Sequence, residues 1–271
     1  MPDSTQPLSG DDLVRALALI NQADSVELKL TVPDSQRRAA VAALGMDPLD
    51  GQIRQVFFLD TPDLALDRRG VVVRARRVQR RDDDTVVKLR PVVPADLPDA
   101  LRHSPDMVVE VDAMPGGYVC SGSLKRSLEP PAVKQAVAGE LPLHKLFSKA
   151  QRHFYAAHAP DGLGLDDLSV LGPVTVLKLK FAPAGYARPL VAELWMYPDG
   201  SRILELSTKC GVGEPFQVAA ETKAFLTARG IEVTGEQQTK TRTALEFFAG
   251  ELRGAGSPAS PGPAGEPGHQ G

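Results

Sequence analysis

Charges of one sign recur two positions apart along this chain: Arg74 and Arg76, Lys88 and Arg90, Glu110 and Asp112, Lys178 and Lys180. In an extended strand that spacing puts both charges on one face. The residues between and beside them are aliphatic, as with Val73 and Ala75, Val87 and Leu89, Val109 and Val111, and Leu177 and Leu179. The segment SVELKLTV, residues 25–32, repeats the pattern with opposite signs, Glu27 and Lys29 standing against Val26, Leu28 and Leu30. Glu193, Glu205 and Lys209 extend the set. In the expected strand FSKAQRHFY, Lys149 and Arg152 fall on opposite faces unless a bulge intervenes, and both are counted with the set. Counted together, these are ten basic and five acidic positions, in a protein whose net charge is −3. A solvated sheet face is the plain alternative, but such faces intersperse the two signs. Like charges this close repel by about 1 kcal/mol per pair at a partly screened site. A bound polyanion, with metal ions beside the carboxylates, would neutralise both kinds of pair.

The elements that must carry these residues are strands with one oily and one charged side. We expect strands over 25–32, 52–60, 70–78, 85–91 and 107–113, and again in FSKAQRHFY, PVTVLKLKF, RPLVAELWMY and SRILELSTK. The turn YPDGS joins the last two as a hairpin. Helices are expected over residues 9–22 with Ser9 as cap, over 33–45 ended by Gly45, over 215–229 ended by Gly230, and over roughly 235–249. Residues 129–146 read as helix broken by Pro130, Pro131 and Pro142. Aliphatic residues packed outward against helices and charges turned inward make a polar-lined barrel or tunnel. The fold class is therefore α+β, with one domain over residues 1–250. Ten of the 21 residues from Glu251 onward are Gly or Pro, which reads as a disordered tail.

These motifs together resemble the CYTH domain of the triphosphate tunnel metalloenzyme superfamily. The family's opening E-x-E-x-K matches Ser25-Val26-Glu27-Leu28-Lys29. Its following strands match FFLDTPDLALDRRGVVVRARR, with Asp60, Thr61, Gly70, Arg74 and Arg76 in place, and Thr85-Val86-Val87-Lys88-Leu89-Arg90. The resemblance implies an antiparallel eight-stranded barrel with helices packed outside. It also implies metal-assisted phosphoryl transfer on a triphosphate or polyphosphate, with hydrolysis as the first reading and class IV adenylyl cyclisation or binding without turnover as alternatives. On this reading Glu27 and Lys29 are catalytic. Lys29, Arg74, Arg76, Lys88, Arg90, Lys149, Arg152, Lys178, Lys180 and Lys209 hold phosphates. Glu27, Glu110, Asp112, Glu193 and Glu205 are the candidate ligands for Mg²⁺ or Mn²⁺, hard cations that take oxygen donors. The chain departs from the pattern where Ser25 replaces the first glutamate, and where Lys178 and Lys180 follow Leu171-Gly172-Pro173 in place of an acidic pair.

Composition agrees with a globular chain of 271 residues, 42% hydrophobic and 24% charged. The bulk charge points to no nucleic-acid partner. No apolar run reaches the roughly 20 residues that span a bilayer, so no membrane role is expected. Cys120 and Cys210 are too few for a disulfide framework and read as inert small residues, which suits a cytoplasmic location. The five histidines lack metal-ligand spacing, and His153 and His158 read as strand residues. Trp195 reads as core or rim packing. TKTRTALEFF reads as an amphipathic helix with Lys240 and Arg242 near a tunnel mouth, or more plainly on a solvated face. The pattern sets no oligomeric state, and a homodimer is compatible with it.

Overall fold

The computed structural model describes residues 10–232 and 240–255. Nine strands close into one barrel: β1 (Ser25–Val32), β2 (Gln52–Asp60), β3 (Val71–Val78), β4 (Asp83–Leu89), β5 (Met107–Met114), β6 (Gly117–Leu128), β7 (Ser169–Phe181), β8 (Leu190–Met196) and β9 (Arg202–Cys210). Their order around the barrel is β1-β5-β6-β4-β3-β2-β7-β8-β9, and β9 pairs back onto β1. Every neighbouring pair is antiparallel except β1 and β5, so the barrel is mixed. The expected eight antiparallel strands are thus corrected to nine. The strand that sequence reading missed is β6, whose GYVCSGS start is rich in small residues with little strand preference.

The alternation along each strand sorts oil from charge. Val73, Ala75, Val87, Val109 and Val111 turn outward into a core shared with Leu146, Phe147, Phe154 and Tyr155. A second outer core joins Leu30, Leu179, Ala192 and Leu206 to Ala40 of α2 (Arg37–Ala43) and to Phe225 and Leu226 of α6 (Pro215–Thr227). The segment expected as the strand FSKAQRHFY is instead α5 (Lys149–His158). Its signal is a capping box. Ser148 accepts from Gln151 N at 3.1 Å, and Gln151 Oε1 accepts from Ser148 N at 2.9 Å. Gln151 is also buried against Thr85 and Leu124, so the segment packs outside the barrel. Lys149 and Arg152 are exposed, and His153 and His158 are helical rather than strand residues.

The third apolar cluster lies inside. Val56, Phe58, Val176, Trp195 and Ile203 share strand faces with Arg54, Lys178, Glu193 and Glu205, and they pack on Ala244, Leu245 and Phe248 of α7 (Lys240–Ala255). This helix closes one end of the barrel. It runs to Ala255, five residues into the segment expected as tail, because Leu252 and the polar residues beside it continue a helical stretch. Residues 256–271, the cap Ser9 and the first residues of the expected 235–249 helix lie outside the described residues. No described helix is long and apolar enough to cross a membrane.

Candidate functional site: a charged tunnel

Glycine geometry places the first arginine. Gly70 has φ +71°, and a Cβ there would stand 2.3 Å from the carbonyl oxygen of Arg90. Its own carbonyl accepts from Arg90 N at 2.8 Å. Only glycine fits this close approach, which carries the chain from a 3-10 turn into β3 and fixes the backbone of Arg90 beside it.

On the inner wall, β1, β5, β4 and β9 gather one group of charges. Lys29 Nζ lies 2.7 Å from Asp112 Oδ1 and 3.1 Å from Glu27 Oε2. Lys88 and Arg90 each stand 3.7 Å from Asp112 Oδ2. Lys209 donates to Glu110, and Ser25 Oγ donates to the same carboxylate at 3.3 Å. Ser207 Oγ donates to Glu27 at 3.0 Å. Burial opposes ionisation of Asp112, but Lys88 and Lys29 hold its carboxyl below the usual range. Glu27 behaves alike, with burial overcome by Lys29 and Lys209. Burial would lower Lys29, yet Asp112 and Glu27 raise it above its ordinary value. For Lys88 burial wins over Asp112, and its ammonium falls to about 8.

A second group sits on β2, β3, β4 and β6. Arg76 makes a two-pronged bond to Asp84, both contacts 2.8 Å, and Lys125 stands 3.8 Å from the same carboxylate. Arg54 leans on Gln52 Oε1 at 2.7 Å. Arg74 has no ion pair among the described residues, and its Nε is buried without a hydrogen bond. Burial first, and then Arg76 beside it, bring the Arg74 guanidinium down to about 9. The third group joins β7, β8 and β9 to α7. Lys178 Nζ lies 3.0 Å from Glu193 Oε1, while Lys240 Nζ lies 2.6 Å from both Glu193 Oε2 and Glu205 Oε1.

Among the described inward-facing residues, ten cations (Lys29, Arg54, Arg74, Arg76, Lys88, Arg90, Lys125, Lys178, Lys209 and Lys240) stand against six anions (Glu27, Asp84, Glu110, Asp112, Glu193 and Glu205). Ten against six leaves four positive charges unmatched. Of the expected phosphate holders, Lys29, Arg74, Arg76, Lys88, Arg90, Lys178 and Lys209 line the tunnel. Lys149 and Arg152 do not, because their segment is the outer helix α5. Lys180 shares the face of Lys178 but is exposed near the far end of β7, with no ion pair among the described residues. Arg54, Asp84 and Lys125 are lumen residues that sequence reading did not assign to the site; of the two residues set near a tunnel mouth or on a solvated face, Lys240 enters the tunnel and Arg242 is exposed. Arg54 was legible, since it shares the strand face of Val56 and Phe58. Lys240 sits at the start of a helix, where strand alternation gives no signal.

Glu27, Glu110 and Asp112 can bring carboxylate oxygens within 4.8 Å of one another. Both Asp112 oxygens are buried and lack a hydrogen bond of proper geometry, although Lys29 makes a close ion pair with one of them. This donor set is hard and anionic, with cations around it but no well-formed hydrogen bond on Asp112, and its oxygens suit a divalent cation of the Mg²⁺ type.

No family model and no curated protein matches the chain. Solved structures do. A candidate adenylyl cyclase from Hippeastrum, described as having a dominant triphosphatase activity, aligns over 82% of this chain and 95% of its own, with 14% identity and a TM-score of 0.58. A candidate adenylate cyclase from Bacillus halodurans aligns over 81% and 97%, with 12% identity and a TM-score of 0.57. Identities this low carry the fold and not the chemistry. With its strands closed on a charged interior and its helices packed around them, the chain has the tunnel fold of CYTH type.

Proposed function

We propose that the tunnel binds a triphosphate-bearing anion, inorganic or organic, and hydrolyses a terminal phosphoanhydride with Mg²⁺ or Mn²⁺. The four unmatched positive charges carry this reading, because a surplus of that size on a partly buried wall favours an anion that offsets it. Phosphoryl transfer asks a protein mainly for position and charge. Arg74 on β3, Lys88 on β4 and Arg90 just after it would hold successive phosphates, the guanidiniums in two-pronged bonds, and Arg76 would join them only by giving up part of its bond to Asp84. Glu27, Glu110 and Asp112 would hold the metal, which when bound polarises a phosphoryl oxygen and eases deprotonation of water. Lys29 keeps Glu27 and Asp112 anionic at neutral pH, so the oxygen donors are ready.

Phosphate release from a panel of triphosphates with each metal tests the reading, with Glu27→Ala as control. Release in the wild type alone supports it, and no release above the control removes hydrolysis. Cyclic nucleotide with pyrophosphate from ATP would identify a cyclase instead. A second reading, binding without turnover, is favoured by one observation: Ser25 stands at an acidic position, and each carboxylate of the tunnel already has a cationic partner. Calorimetry in EDTA separates the two, since tight metal-free binding of triphosphate without release selects the second.

A further inference from the structure

Lys240 is the one described residue of α7 whose charge enters the tunnel wall. Its ammonium is 17% exposed and lies 2.6 Å from Glu193 and 2.6 Å from Glu205, carboxylates that are themselves 15% and 10% exposed. The helix backbone is tied at the same residue, where Tyr197 Oη donates to the Lys240 carbonyl at 2.9 Å. Trp195, the single tryptophan of the chain, completes the cradle. Its ring centroid is 5.0 Å from the ammonium, and its Nε1 donates to Glu193 Oε2 at 3.2 Å. Two buried carboxylates on neighbouring strands repel and demand a cation. Burial opposes the charge on Glu193, and Lys240 followed by Lys178 overcomes it and holds the group well below the usual carboxylate range.

We propose that Lys240 is a resident cation: its ammonium fills the Glu193–Glu205 cradle that a divalent ion would otherwise take, so docked α7 and a metal at this pair exclude one another. Metal is thereby left the Glu27, Glu110 and Asp112 group farther along the same wall, where β9 adjoins β1 and β1 adjoins β5. The proposal holds whether or not the tunnel turns over a triphosphate, because it concerns only which cation neutralises one carboxylate pair. A tethered ammonium has an advantage here. It is always at hand, it loses little hydration compared with Mg²⁺, and it ties the helix that closes the barrel to the charge of the wall.

Trp195 reports the outcome directly, since Mn²⁺ held by Glu193 would quench the indole that donates to the same carboxylate. The full chain is titrated with Mn²⁺ alone, and tryptophan emission is followed in wild type, Lys240→Met, Lys240→Arg and Lys240→Met with Glu193→Gln. The proposal expects saturable quenching in Lys240→Met, and at least tenfold weaker quenching in wild type and Lys240→Arg. Adding Glu193→Gln should abolish the gain. Equal quenching in wild type and Lys240→Met overturns it, whether both are strong or both absent. If Lys240→Arg quenches as Lys240→Met does, then the helix contact matters rather than the charge, and the proposal again fails. Circular dichroism of each variant, read beside the emission, shows that the barrel is folded in every comparison.

Discussion

At the scale of single residues, the two arginines of β3 have different roles despite their shared strand face. Arg76 is locked onto Asp84 by two 2.8 Å bonds, with both side chains nearly buried. Arg76→Ala leaves Asp84 with only Lys125 at 3.8 Å, and denaturant unfolding should show a loss of about 3 kcal/mol, as when one partner of a buried pair is removed. Arg74 has no such partner and keeps a buried Nε without a hydrogen bond. Arg74→Ala should therefore leave ligand-free stability unchanged or raise it. If Arg74→Ala destabilises as much as Arg76→Ala, then Arg74 is a structural residue and not a waiting anion holder. Lys88 gives a pH signature. Burial brings its ammonium down to about 8, from an ordinary value of 10.5. A group depressed in the folded state binds fewer protons there than in the unfolded chain, so between about pH 8 and 10.5 stability rises with pH through this residue. Anion binding has the opposite slope, because only the charged form attracts phosphate. Calorimetry should find triphosphate affinity falling as pH climbs past 8 in the wild type, and falling later and less steeply in Lys88→Arg, where Arg74 at about 9 is left to titrate.

Elements decide which of these residues can meet. Strand alternation made most of the tunnel legible in the sequence: the face of Glu27 and Lys29, of Arg74 and Arg76, and of Glu110 and Asp112 can each be read from a period of two. The same rule fails for FSKAQRHFY, where the Ser148-x-x-Gln151 capping box that starts α5 outweighs a short apolar alternation. The sequence contains that box, and the burial of Gln151 against Thr85 and Leu124 makes it the stronger signal. Ser148→Ala should cost about 1 kcal/mol in denaturant unfolding; no measurable loss would mean that Gln151, buried against Thr85 and Leu124, sets the helix alone. The closure by α7 was not legible, because amphipathicity says that a helix buries one face and not which surface receives it. Phe248 packs on the inner cluster of Trp195 and Ile203. Phe248→Ala should cost about 3–5 kcal/mol if the helix stays docked. If docking is the weaker link, Trp195 emission should shift to the red as water enters that end. Neither change would show that α7 is not the element that shuts the barrel.

For the whole molecule, the distribution of charge matters more than its total. A chain with net charge −3 keeps four unmatched positive charges on the described part of its inner wall, so its negative excess lies elsewhere in the sequence. Outer charges are screened over about 8 Å at physiological salt, while inner ones are shielded from it by the barrel. The fold of the free protein therefore holds a repulsion that closing the sheet imposes and that an anion of matching charge removes. A ligand at a hundred times its dissociation constant adds about 2.7 kcal/mol to the form that binds it. For a chain of this size that corresponds to a rise in melting temperature of roughly 5–10 °C. Thermal unfolding with inorganic triphosphate, first in EDTA and then with Mg²⁺, should show that rise in the wild type and its loss in Arg74→Ala. A rise already complete in EDTA would mean that the arginines and lysines bind the anion themselves, whereas a rise that appears only with Mg²⁺ would place the metal between carboxylates and phosphate. No rise in either condition would mean that the inner surplus is balanced by something other than a triphosphate, and the proposed substrate class would fall.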